Sequence, residues 1–86
     1  MMIVKIFWQK NCPYCPPAKK LGKKLEDKGV KVEFHDVRSV DGLAEAAYFN
    51  VMSTPSLIVI NEENKEVAGW RGKVPTITEI KKFLND

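Results

Sequence analysis

Two cysteines three residues apart, Cys12-Pro13-Tyr14-Cys15, stand between an apolar run and an amphipathic stretch, and the chain has no others. The upstream run Met2-Ile3-Val4-Lys5-Ile6-Phe7-Trp8 reads as a strand covered on both faces, because its apolar residues are nearly continuous. Downstream, Tyr14, Ala18, Leu21 and Leu25 recur at steps of four, three and four, the spacing of one face of a helix. The pair therefore falls where a strand hands over to a helix N-terminus. Thiols at this spacing on a first helical turn face each other closely enough to form a disulfide with little backbone movement. Unpaired N–H groups and the positive end of the helix dipole stabilise an anion there. A thiolate at Cys12 is thus expected to form more readily than the free pKa of about 8.5 allows. A bridge closing so short a loop adds little through chain entropy, so the pair is expected to serve chemistry.

The 86 residues suffice for one domain, 1–86, and not for two. The net charge of +3 comes largely from Lys19, Lys20, Lys23, Lys24 and Lys28. No aromatics are interleaved with them, so no nucleic-acid partner is expected. A solvated helix face is the plainer reading, with steering of an acidic protein partner as the lesser option. The N-terminal apolar run is short and interrupted by Lys5, and nothing approaches the length of a membrane span. A monomeric, cytoplasmic protein is expected, where a CxxC pair is more often catalytic or metal-binding than structural.

Further along, Pro13 suits a first helical turn, and Pro16 and Pro17 delay regular helical hydrogen bonding until after them. Gly29 closes the helix as its C-terminal cap. Val30 to Val37 alternates as a second strand, with Val32 and Phe34 inward and Lys31, Glu33 and His35 outward. His35, the only histidine, reads as an exposed strand residue rather than a base for the cysteines. A second helix of about ten residues, with Asp41 as cap and Leu43, Ala44, Ala47 and Val51 as its buried stripe, ends at Met52-Ser53-Thr54-Pro55. Ser56 to Ile60 and Lys65 to Trp70, joined by a polar turn, form a hairpin. Thr76-Ile77-Thr78-Glu79 fits a capping box, and Ile77, Ile80, Phe83 and Leu84 face the core from the last helix. The order is βαβαββα, an α/β chain.

A CxxC at a helix N-terminus within a βαβ pattern is the sequence sign of a thioredoxin-like redox motif. Over nearly its whole length the chain also resembles the glutaredoxins, through Cys12-Pro13-Tyr14-Cys15 and through Thr54-Pro55 before the third strand. The resemblance implies the thioredoxin fold, a four-stranded mixed sheet flanked by three helices. It also implies a cis bond at Pro55, lying against the disulfide, with Thr54 offering backbone groups to an extended substrate. Where glutaredoxins carry Gly-Gly and acidic residues for glutathione, this chain has Gly69-Trp70-Arg71-Gly72-Lys73. Phe7-Trp8 before Cys12 is similar to the thioredoxin approach to the active site. Ala68-Gly69-Trp70-Arg71 is similar to the Ser-Gly-Phe-Arg of small redoxins that reduce ribonucleotide reductase and draw electrons from thioredoxin reductase.

The expected activity is thiol–disulfide exchange on protein disulfides, with Cys12 as nucleophile, Cys15 resolving, and the Cys12–Cys15 disulfide as the redox centre without a bound cofactor. Tyr14, Thr54, Pro55, Trp8, Trp70 and Arg71 are the candidate substrate-binding residues. The electron donor is expected to be a reductase of the thioredoxin-reductase type, with glutathione as the alternative. A soft-metal carrier also uses CxxC on a βα turn. Its usual βαββαβ order differs from the order here. Structural zinc lacks ligands, and an iron–sulfur scaffold would need a second chain or external thiols.

Overall fold

A computed structural model describes residues 1–84. Its elements run β1 (Ile3–Trp8), α1 (Cys15–Asp27), β2 (Lys31–Asp36), α2 (Val40–Tyr48), β3 (Ser56–Ile60), β4 (Glu66–Arg71) and α3 (Ile77–Lys81). The strands form one mixed sheet in the order β2-β1-β3-β4. β1 is parallel to β2 and antiparallel to β3, and β3 is antiparallel to β4. This is the βαβαββα architecture expected from the sequence.

Alternation along the strands sorts residues to the two faces of the sheet. Val4 and Ile6 of β1 and Leu57 and Val59 of β3 meet Ala18, Leu21 and Leu25 of α1 and Ile80 of α3 on one face. Phe7, Ile58 and Ile60 meet Ala46 of α2 and Phe49 just beyond it on the other. The helix ends follow local chemistry. Gly29 at φ 86° closes α1, with Val30 N–H donating to the Leu25 carbonyl and Gly29 N–H to the Glu26 carbonyl. That is the two-bond C-terminal cap that favours glycine. The Thr76–Glu79 capping box opens α3.

Three readings are corrected. Tyr14 is not on the buried stripe of α1. It is the residue before the helix and is 70% exposed. Asp41 does not cap α2. The Ser39 hydroxyl accepts the Gly42 N–H instead, with Asp41 in the first turn. The buried side of α2 is Gly42, Ala46 and Phe49, while Leu43, Ala44 and Ala47 point outward. Two contacts set that rotation. Lys5, on β1, draws Glu45 toward the sheet at 2.7 Å. Gly42 lies so close to β2 that a Cβ there would collide with the Asp36 carbonyl.

Candidate active site around the cysteine pair

The strand register gathers the site at one end of the sheet. Phe7 pairs with Ser56 and Ser56 with Arg71, so the loops after β1, before β3 and after β4 leave the sheet side by side. The first of these loops carries Cys12. Asn11 stands at φ 62°, a left-handed turn that asparagine tolerates better than most residues. Cys12 and Cys15 are joined by a disulfide, with Cα atoms 5.3 Å apart.

The two cysteines are unequal. Cys15 is the first helical residue and only 2% exposed, whereas Cys12 lies in the preceding turn and is partly exposed. The helix therefore starts later than the sequence suggests, and Cys12 and Pro13 lie outside it. Pro16 and Pro17 fill the first turn, where a missing N–H breaks no helical bond. Hydrogen bonding resumes with Ala18 N–H to the Tyr14 carbonyl at 3.4 Å. The same prolines thin out the donors at the helix tip. Of the positions Tyr14 to Pro17, two have no N–H, and the Cys15 N–H already donates to the Cys12 carbonyl at 3.2 Å. Four unpaired N–H groups do not face the sulfurs, so the dipole rather than a nest of donors favours an anion here.

The second loop carries Thr54-Pro55, whose peptide bond is cis. Gln9, three residues before Cys12, donates from Nε2 to Thr54 Oγ1 at 2.9 Å and ties this loop to the cysteine loop. No backbone hydrogen bond among the described residues uses the Thr54 N–H or carbonyl. The Pro55 carbonyl accepts from Gly72 N–H at 2.9 Å. Fully buried Ser56 donates from Oγ to the Ser53 carbonyl and accepts from Gly72 N–H. Gly72 stands at φ 77°, a region glycine occupies without penalty. A groove beside this loop is lined by Gln9, Leu43, Val51, Met52 and Thr54, and Met52 on its rim is 92% exposed.

The aromatic and cationic candidates have different surroundings. Trp8 closes β1 and carries the Lys19 ammonium 3.6 Å from its ring centre. Trp70 lies toward α3, edge-on to Phe83 with ring centres 5.7 Å apart. Arg71 grips Glu66 through two hydrogen bonds and donates at 2.7 Å to the Phe49 carbonyl, just past the end of α2. The structure thus brings Cys12, Cys15, Thr54 and Pro55 to one end of the sheet. It gives Trp70 and Arg71 packing partners of their own.

His35 is not an exposed strand residue. Its ring stacks on Phe7 at 5.3 Å and hydrogen-bonds Glu33 at 3.0 Å, next to a charge cluster that the sequence reading missed. Lys5, 6% exposed, meets Glu33 at 2.8 Å and Glu45 at 2.7 Å. Burial works to lower the Lys5 pKa, but the hydrogen bonds and charges of the two carboxylates outweigh it and hold it above the ordinary 10.5. The hydrogen bond from Lys5, opposed by burial and helped by His35, holds the Glu33 carboxyl below its ordinary 4.5. Among the described residues no group of three or more His, Cys, Asp and Glu side chains is arranged to hold a metal ion.

A partly exposed cysteine bonded to a buried one, at a strand-to-helix junction of this sheet, defines a thioredoxin-fold redox protein of the thiol–disulfide oxidoreductase class. The family described as thioredoxin domain matches residues 2–85. A probable thioredoxin of Archaeoglobus fulgidus is 35% identical over 60 residues, which span 69% of this chain and 66% of that protein. A solved structure described as that of a malarial protein superposes with a TM-score of 0.78 at 26% identity over 99% of both chains. A mutant thioredoxin from Halobacterium salinarum superposes with a TM-score of 0.80 over 95% of this chain and 70% of its own; at 18% identity it shares the fold alone. The chain belongs to the thioredoxin family.

Proposed function

We propose that the protein reduces disulfides in extended protein segments, using Cys12 as nucleophile and Cys15 as resolving thiol. The observation that carries this reading is the unequal burial of the two cysteines in one bridge, with only Cys12 open to a partner. In the reduced protein the Cys12 thiolate attacks a substrate sulfur. A Cys12–substrate bond forms, the substrate disulfide breaks, and the first substrate thiolate leaves. Cys15 then gives up its proton and attacks Cys12 Sγ. The Cys12–Cys15 bond forms, the second substrate thiolate leaves, and both thiolates take protons from solvent. Two electrons pass to the substrate, and the protein is left oxidised. Thr54, whose N–H and carbonyl enter no backbone hydrogen bond among the described residues, supports main-chain docking of the substrate beside the sulfurs. Tyr14, Trp8 and the groove bounded by Leu43 and Met52 offer side-chain contacts.

The proposed electron donor is a flavoenzyme of the thioredoxin-reductase type. Family membership supports it. So does Arg71, whose guanidinium is already committed to Glu66 and the Phe49 carbonyl and so is not poised for a glutathione carboxylate. The Cys12-Pro13-Tyr14-Cys15 tetrapeptide favours the second reading, a glutathione-dependent enzyme. Reconstituted turnover of a protein disulfide separates them. Thioredoxin reductase with NADPH is expected to sustain turnover, and glutathione with its reductase only weakly; the reverse order assigns the protein to glutathione.

For the chemistry itself, Cys12→Ser is expected to abolish disulfide reduction. Cys15→Ser is expected to accumulate a mixed disulfide with substrate, visible as a mass adduct on Cys12. Limiting alkylation of the reduced wild type should label Cys12 first. Preferential labelling of Cys15 would reverse the two roles.

A further inference from the structure

The surface of α1 works against its own helix. Lys19, Lys20, Lys23 and Lys24 follow Cys15 with no acid among them, and the two acids of the helix, Glu26 and Asp27, both fall in its last turn. Lys19–Lys23, Lys20–Lys24 and Lys24–Lys28 are like-charge pairs at i,i+4, a spacing at which repulsion destabilises a helix. Acids in the last turn oppose the negative end of the dipole. Among the described residues no ion pair reaches any of those four, although Glu26 and Asp27 stand three and four residues after Lys23. Lys20, Lys23 and Lys24 are exposed, and Lys19 is half-buried on the Trp8 ring.

The patch is continuous with the active site. Lys19 links it to Trp8, the last residue before the cysteine loop, and that loop itself carries exposed Lys10. Asp36, the register partner of Trp8, is occupied by the Arg38 N–H and does not reach the lysines. The aromatic rings on this flank are already engaged by cations, Trp8 by Lys19 and Phe34 by Lys23 at 5.5 Å. Neither ring is free to stack on nucleotide bases, so the flank suits a protein surface better than nucleic acid.

We propose that the lysine flank of α1 is the docking surface for an acidic redox partner, one that presents carboxylates beside its reactive disulfide. This rests on the thiol–disulfide exchange proposed above. Charge complementarity of this kind raises the encounter rate and selects among partners.

The test uses reduced protein and three synthetic peptides that share one disulfide, flanked by glutamates, serines or lysines. Rates are read by acid quench, alkylation and mass analysis at low and high salt. The acidic peptide is expected to react about tenfold faster than the neutral one at low salt, and the advantage to vanish at high salt. Lys20→Glu is expected to at least halve the acidic-to-neutral ratio. It should also hold or raise the melting temperature, because it removes a repulsive pair and sets an acid four residues before Lys24, the favoured order. Lys65→Glu, in the β3–β4 turn, makes the same change in net charge and should leave the ratio intact. Equal rates with all three peptides would overturn the proposal while leaving the exchange activity standing. So would an equal loss in Lys20→Glu and Lys65→Glu, or equal rates accompanied by retention on DNA. Failure to reduce even the neutral peptide would remove the exchange reading and this proposal together.

Discussion

The two faces of the sheet are built on different principles. On the α1 and α3 face, the buried side chains from β1 and β3 are all apolar, and two helices cover them. On the α2 face a single nine-residue helix gives less cover. There Lys5 stands in β1, Glu33 and His35 in β2, and Arg71 in β4 among the apolar residues. Each charge is met by a partner: Lys5 by Glu33 of β2 and Glu45 of α2, Arg71 by Glu66 of its own strand and by the Phe49 carbonyl just past α2. No buried side-chain nitrogen or oxygen lacks a partner among the described residues. The first face is held by burial, which tolerates exchange of one apolar shape for another. The second is held partly by directional pairs, which specify how α2 sits but lose much when one member is removed.

The largest expected effect breaks the apolar face. Leu25→Ala, at a fully buried position, should cost roughly 2–5 kcal/mol of unfolding free energy, read from urea midpoints. Next comes Lys5→Ala, which leaves Glu33 and Glu45 facing each other without their cation. It should cost about 3 kcal/mol, at the low end for a broken buried pair because both carboxylates are partly solvated. Lys5→Met combined with Glu33→Gln and Glu45→Gln should recover most of that loss. If it recovers nothing, directional pairing is not what distinguishes the second face.

The pH dependence sharpens the same contrast. Glu33, with its folded pKa depressed, adds stability that is fully present above 4.5 and is lost as pH falls through the lower folded value. Lys5, with its folded pKa raised, adds stability that is complete below 10.5 and is lost as pH rises through the higher one. The gap in stability between wild type and Glu33→Gln should therefore be about 1 kcal/mol at neutral pH and close in acid. The smallest effect belongs to the outer pair: Glu66→Gln should cost about 0.5 kcal/mol, since both partners are a third exposed.

What the sequence shows of this molecule follows the range of the forces involved. β1, β3, the Gly29 cap and the Thr76–Glu79 box are legible because each rests on residues close together in the chain. The rotation of α2 is not, because Lys5 lies 40 residues from the Glu45 it draws inward. Leu43 fits the helical period as well as Ala46 does. His35 belongs to an alternating charged set and reads as exposed until α2 and Phe7 cover it. In the site, the cysteine pair and Thr54-Pro55 stand out as motifs. The Gln9–Thr54 bond, spanning 45 residues, and the Ser56–Gly72 contact have no local signature.

The outer strands have a consequence for how the protein keeps company. An open sheet exposes two unpaired backbone edges, each an invitation to a further strand. Along β4 the register slips between Val59 and Ile60, so that Ile60 faces Glu66 and Val67 is left over. Such an irregularity kinks the edge and spoils the even spacing that a docking strand requires. β2 closes the opposite side with Lys31, Glu33, His35 and Asp36 along its length. Both margins are thus poor templates for stacking copy upon copy.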